Sequence, residues 1–371
     1  MKNNIVSFFL LILLINISLS HDSKEIKDIK NNFEKEDFPN IKNYPLKTLA
    51  YITPWNKEGY DYVEKYSNKF DIISPVWFEL KPDEIDGELQ IILDGSNNID
   101  SSYMKRLRNK NSNILILPRL HPSFYDEQII ERWFTKEADQ FIKVLERRIK
   151  YNKFDGYVFD YAPIWFKKNI ADKFIKYFLP KIYESMNKLK KTFILTILPK
   201  NNKDTTGSGN YIDKNTFKLI SKYVHYFNIM TYDYHQYINQ NKNYFTAPIS
   251  WIKETINFYV DNNDKDANEL LQKILIGIPF HGYSFNTDTG REMDIITGKQ
   301  FPDILNKGIE DMEFISNENE GEYLLLGKKN AVNYPEKKFI SKRLELSKEL
   351  KVGGIGIWDV GNGKESMIEP L

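Results

Sequence analysis

The chain contains no cysteine. Disulfides, thiolate nucleophiles and cysteine-based zinc sites are therefore excluded, and stability outside a cell has to come from packing alone. Histidine is scarce. His21, His121, His225, His235 and His281 fall in separate segments without paired ligand spacing, so no metal site is expected. An excess of one charge is also missing, with 52 Lys and Arg against 51 Asp and Glu. Duplex-binding proteins gather a basic surplus on one face, so nucleic acid is not expected as a partner. Lysine- and asparagine-rich runs such as 105–113 and 239–243 read as solvated loops. The first strand candidate is followed by LAYITPWNKEG rather than a Gly-rich phosphate turn, and no Gly-x-Ser-x-Gly elbow is present. No cofactor is expected.

Long apolar runs are confined to residues 5–19, which follow a single Lys2 and lead into small or polar residues around Ser18 and Ser20. This run is short for a membrane span and flanked as a signal peptide is. Residues 1–20 are therefore expected to be a cleaved signal, leaving a secreted or lumenal protein of the secretory pathway, lysosome or endoplasmic reticulum included, with no membrane segment. Residues 21–47 are charged and broken by Pro39 and Pro45, which reads as a mobile linker.

What the chain does have is aromatic and β-branched residue in short runs. Strand candidates fall at 49–55, 70–80, 113–120, 155–161, 193–199, 226–234, 273–280 and 354–360. Helical spacing is clearest at 135–151, 170–189, 248–260 and 335–350. Strands alternating with helices over this length predict an α/β (β/α)8 TIM barrel over residues 48–371. Residues 285–334 are too long for a simple loop, so an elaborated connection between strands seven and eight is expected, with a helix near 293–305 and a hairpin around 312–326.

In such a barrel the working face lies at the C-terminal strand ends. Those ends carry Arg119, Asp160-Tyr161-Ala162, Met230-Thr231-Tyr232-Asp233 and Trp358-Asp359. An aromatic floor with a few acids and hydroxyls suits a sugar ring, whose apolar face stacks while its hydroxyls hydrogen-bond.

FDGYVFDYA resembles the fourth-strand signature of glycoside hydrolase family 18, D-G-x-D-x-D-x-E. MTYDY and GIGIWD resemble that family's sixth- and eighth-strand motifs. The ordered series TPWNKEGYD, FDIISPVWFEL, PRL, FDGYVFD, MTYDY, APISW, KILIGIPFHGY and RLELSKELKVGGIGIWDVGNG is similar to the chitinase-domain-containing, stabilin-interacting chitinase-like subgroup, from Leu49 to about Gly363. Laid onto the signature, Asp155 and Asp160 are its retained acids, Val158 replaces another, and Ala162 stands where the hydrolases carry their general-acid glutamate. The resemblance thus implies that classical catalysis is absent. Asp160, one inward step deeper on the same strand face, is expected to be a hydrogen-bond acceptor in the pocket or the ion-pair partner of Arg119.

It further implies a sugar subsite in which Tyr232 meets the acetamido group, Asp233 binds hydroxyls, Trp358 forms the floor and Tyr51 lies beside it. Met230, Arg119 and Asp160 line that subsite, and Trp77 and Trp55 would widen the stacking surface. The third strand lacks the family's Ser-x-Gly-Gly turn and reads Leu117-Pro118-Arg119-Leu120. The expectation is a lectin-like protein that binds an oligosaccharide without hydrolysing it. Two alternatives stand beside it. One is an active glycosidase with a relocated acid at Glu79, Asp233 or Asp359, and the other a scaffold for a receptor protein, as the subgroup suggests.

Overall fold

Each short β-branched run is followed by a helix with one apolar stripe, and that alternation dictates a parallel sheet covered by helices. The computed structural model describes residues 38–85, 88–201, 212–237, 244–307, 312–317 and 319–371. Its parallel strands are β1 (Lys47–Ile52), β2 (Ile72–Pro75), β3 in two pieces (Leu115–Ile116 and Arg119–Pro122), β4 (Gly156–Phe159), β5 (Thr192–Ile197), β6 (Tyr226–Ile229), β7 (Ile274–Pro279) and β8 (Gly354–Trp358). Each pairs with its neighbours in chain order, and β8 pairs with β1 through Lys47↔Gly354.

The two pieces of β3 carry the remaining joins. Leu115 is in register with Ile72 of β2, and Arg119 with Val158 of β4. Between them Pro118 interrupts the strand, yet the Leu117 N–H still donates to the Ile73 carbonyl (2.8 Å) and the Pro118 carbonyl accepts from Val158 (3.1 Å). The result is an α/β fold with a curled parallel sheet, in the strand order of a (β/α)8 barrel.

Strand parity sorts the core into two layers. Leu49, Ile72, Leu117, Val158, Ile194 and Leu275 fill the inside of the curl. Their neighbours Ala50, Ile73, Phe159, Leu195 and Ile276 face outward into the larger cluster shared with the helices. The segment expected as one long helix runs as Lys168–Lys173, a π-helical turn at Phe174–Phe178, then Leu179–Lys188. The widened turn precedes Pro180, which has no N–H for the carbonyl four residues back.

The second strand departs from the single run expected over 70–80. The chain leaves β2 at Val76-Trp77 and resumes as Phe78–Ile85, which pairs antiparallel with Glu88–Asp94 and parallel with the second piece of β3. After β7, a five-stranded antiparallel sheet joins Gly282–Asn286, Glu292–Ile296, Asn330–Pro335, Glu322–Gly327 and Met312–Asn317. A helix was expected from 293, but Glu292–Ile296 is a strand because Gly282–Asn286 offers it a ladder; the helix is only Gln300–Lys307.

Residues 1–37, including the expected signal, lie outside the described residues. Within the stretch read as a mobile linker, residues from Phe38 onward are packed. Phe38 stacks on Tyr66 at 4.1 Å, the Tyr44 hydroxyl meets Ser347 Oγ at 2.6 Å, and the Asn43 N–H donates to the Leu371 carbonyl at 2.8 Å.

Candidate functional site

Where the inward-facing strands end, polar and aromatic side chains converge. Gly356 of β8 has no side chain because a Cβ there would come within 2.2 Å of Asn228 Oδ1. That space lets Asn228, buried on β6, donate from Nδ2 to the Tyr51 hydroxyl at 3.1 Å. Tyr51 in turn meets Trp358 edge-on, with ring centres 5.2 Å apart. Burial drives the Tyr51 and Tyr232 hydroxyls above the usual tyrosine range, so both remain protonated.

Asp160 follows β4 directly and prolongs its ladder, its N–H donating to the Leu120 carbonyl at 2.9 Å. Both carboxylate oxygens are taken. Oδ2 accepts from Arg119 Nε at 2.5 Å and Oδ1 from Thr196 Oγ1 at 2.7 Å. Burial works to raise this carboxyl, but the Arg119 charge and the Thr196 bond outweigh it and hold it below the usual carboxylate range. The Arg119 guanidinium carbon also lies 5.2 Å over the Trp358 ring, a cation–π contact. His121 Nδ1 sits 2.9 Å from the Asp160 carbonyl oxygen, and burial together with Arg119 keeps this imidazole's pKa below its usual value.

Asp233 adopts a left-handed backbone (φ 61°) at the end of the sixth-strand motif. Its Oδ1 accepts from the Tyr283 hydroxyl at 2.6 Å and lies 3.4 Å from His281 Nε2. Burial raises its carboxyl and the His281 and Tyr283 contacts lower it, leaving it below the usual range. Asp359 is buried and caps the turn Val360–Asn362, accepting from the Asn362 N–H (3.2 Å) and Nδ2 (3.0 Å). Burial pushes its carboxyl up to about 6.

Beside Arg119 a cleft of about 380 Å³ opens between the ends of β1, β3 and the antiparallel hairpin, lined by Trp55, Glu79, Asp94, Asn98, Arg119 and His121. Glu79 is in register with His121 on one side and with Asp94 on the other. Lys81 bridges Asp94 (2.5 Å) and Glu79 (3.4 Å). Trp55 leaves 71% of its surface exposed at this edge.

Of the residues singled out in the sequence, Tyr51, Arg119, Asp160 and Trp358 are brought into contact, with Tyr232 buried alongside. Asp233 is next to them but turned toward Tyr283 and His281. Met230 is half-buried against the outer core. Trp77 is not in that cluster but lines the adjoining cleft with Trp55, Glu79 and Arg119. It is 1% exposed, packs in the outer layer against Phe154, and donates from Nε1 to the Tyr60 hydroxyl at 2.8 Å. Asp155 lies at the opposite end of β4, bonded to Arg108 (2.8 Å) and the Ile116 N–H (3.0 Å), where its work is structural. Ala162 is half-buried and begins the short turn Ala162–Phe166.

Thr196, Asn228, His121, His281 and Tyr283 were not anticipated. Thr196 and Asn228 were findable as the polar residues at inward-parity positions of strands five and six. His281 and Tyr283 carried no local signal.

The model of the family described as glycosyl hydrolases family 18 matches residues 47–363. The uncharacterized glycosylase YvbX of Bacillus subtilis (strain 168) is 26% identical over 153 residues, which are 40% of this chain and 42% of that protein. The match therefore spans less than half of that relative. A chitinase from Chromobacterium violaceum ATCC 12472 superposes with a TM-score of 0.70 at 15% identity, over 87% of this chain and 96% of that one. The family 18 chitinase of Cycas revoluta in complex with (GlcNAc)3 gives 0.65 at 14% identity, over 87% and 97%. YKL-39, solved in the presence of chitooligosaccharides (GlcNAc4), gives 0.65 at 13%, over 87% and 98%. At these identities the three structures share this chain's fold.

Proposed function

The chain belongs to glycosyl hydrolases family 18, and from that premise we propose that it binds chitin-type oligosaccharides without cleaving them. The observation that carries this reading is Ala162, at the position where the signature on β4 calls for a proton-donating glutamate. A general acid needs a proton and must come within hydrogen-bond reach of the leaving oxygen. Asp160 has neither to offer, because it is ionised and bonded through both oxygens. Asp233 is held ionised by its neighbours. Asp359 retains a proton up to about pH 6, yet it is 2% exposed and committed to Asn362. Glu79 is tied to Lys81 in the outer cleft.

Support for the ligand class comes from the exposed Trp55 at the cleft and from the GlcNAc oligomers bound by the Cycas chitinase and present with YKL-39. The curled sheet is taken to be a (β/α)8 barrel, and the ordered segments favour the chitinase-domain-containing subgroup. A glycan array and a hydrolysis assay on one preparation test the reading. Binding of chitooligosaccharide with no released product is the expected result. Turnover that disappears in Glu79→Gln would replace it with an active glycosidase using a relocated acid.

A further inference from the structure

The inner end of the site is already occupied by the protein itself. Arg119 lies over the Trp358 ring at 5.2 Å, and its Nε is fixed on Asp160 at 2.5 Å. Asp160 is fixed in turn by Thr196 at 2.7 Å. The pair is nearly buried, with 15% of the Arg119 side chain and 11% of the Asp160 side chain exposed. Tyr51 also packs against Trp358, with ring centres 5.2 Å apart and ring planes at 66°. A pyranose stacking on this indole would need van der Waals contact with the ring, in the space the guanidinium fills. Seating it would pull Arg119 away and leave the Asp160 carboxylate buried without its counter-charge, an unfavourable exchange. Trp55, by contrast, is largely exposed, and Arg119 lines the cleft beside it.

We propose that Arg119 is the specificity-determining residue of this site, a fixed cover that closes the Trp358 subsite and confines a bound glycan to the outer cleft beside Trp55. This inference rests on the carbohydrate-binding reading and makes a demand that reading does not. A chain threaded across the mouth of the sheet, with one sugar on Trp358, is excluded while the Arg119–Asp160 pair stands. Removing Arg119 alone would strand Asp160, so the opening variant changes both members. In Arg119→Ala/Asp160→Asn the amide still accepts the Thr196 hydroxyl.

The test is isothermal titration of native protein and variants with tetra-N-acetylchitotetraose. The double variant should bind about tenfold more tightly than the native chain, the worth of one recovered aromatic contact. Adding Trp358→Ala to the double variant should abolish that gain, whereas Trp358→Ala in the native background should leave affinity within about twofold. A double variant that binds no more tightly than the native chain overturns the proposal. So does a loss of more than about fivefold on Trp358→Ala alone, a comparison available even if the double variant does not fold. Native protein that binds no glycan while the double variant does would keep the cover and remove the binding reading. Native binding with no gain in the double variant would do the reverse.

Discussion

Replacing Arg119 by alanine tests whether the polar centre of the site is built as described. Asp160 is 8% exposed, and without the guanidinium only the Thr196 hydroxyl remains on its carboxylate. Removing one partner of a buried ion pair typically costs about 3–5 kcal/mol. For a domain of this size that is roughly 4–8 °C in Tm, from the per-residue unfolding entropy. Asp160→Asn in the Arg119→Ala background removes the stranded charge and should recover all but about 1 kcal/mol.

The pH dependence has a defined sign. In the native chain the Asp160 pKa is depressed, so its contribution is present above the unfolded pKa and is lost as pH falls through the folded one. In Arg119→Ala burial is opposed only by the Thr196 bond and His121, so the folded pKa rises and the variant lacks the stabilisation that the native chain gains as pH rises. The deficit against native protein should be largest near pH 7 and shrink toward about pH 4. Urea unfolding at a series of pH values measures it. A deficit below about 1 kcal/mol at neutral pH, or one that does not change with pH, would refute the buried pair.

Asp359, whose folded pKa lies at about 6, should behave in the opposite way. Its stabilising contribution is present at low pH and lost as pH rises through 6, so native protein should lose up to about 3 kcal/mol relative to Asp359→Asn between pH 4 and 7, seen in paired melting curves. Trp55→Ala removes a side chain that is 71% exposed, so stability should shift by less than about 0.5 kcal/mol while chitooligosaccharide affinity falls about tenfold in titration calorimetry. Gly356→Ala drives a Cβ to within 2.2 Å of Asn228 Oδ1 and should cost about 1–3 kcal/mol in denaturant unfolding. An unchanged midpoint would mean that Asn228 is free to move.

What was legible in the sequence and what was not divides along one physical line. Alternation along a strand sets which side chains face inward, and it needs no knowledge of the rest of the chain. Counting from Leu49 brings Tyr51 inside, counting from Val158 brings Asp160, and counting from Leu117 brings Arg119, so the ion pair between the last two was an expectation before it was an observation. The same count from Ile72 puts Val76 inside and Trp77 outside, where it is found. From that outward position Trp77 still lines the cleft beside Arg119. What a residue's bonds are spent on is a separate matter, because it depends on segments brought close only by the fold. Asp233 reads as a sugar-binding acid, and nothing near it in the chain shows that Tyr283, 50 residues further on, places its hydroxyl on Oδ1. Asp160 reads as an acceptor or as the partner of Arg119, and nothing near it in the chain shows that Thr196, 36 residues away, takes its other oxygen. Parity identifies the residues at the site's entrance, but long-range partners decide which of them remain available to a ligand. Here those partners take both oxygens of Asp160 and one of Asp233, while Trp55 stays exposed at the cleft beside them.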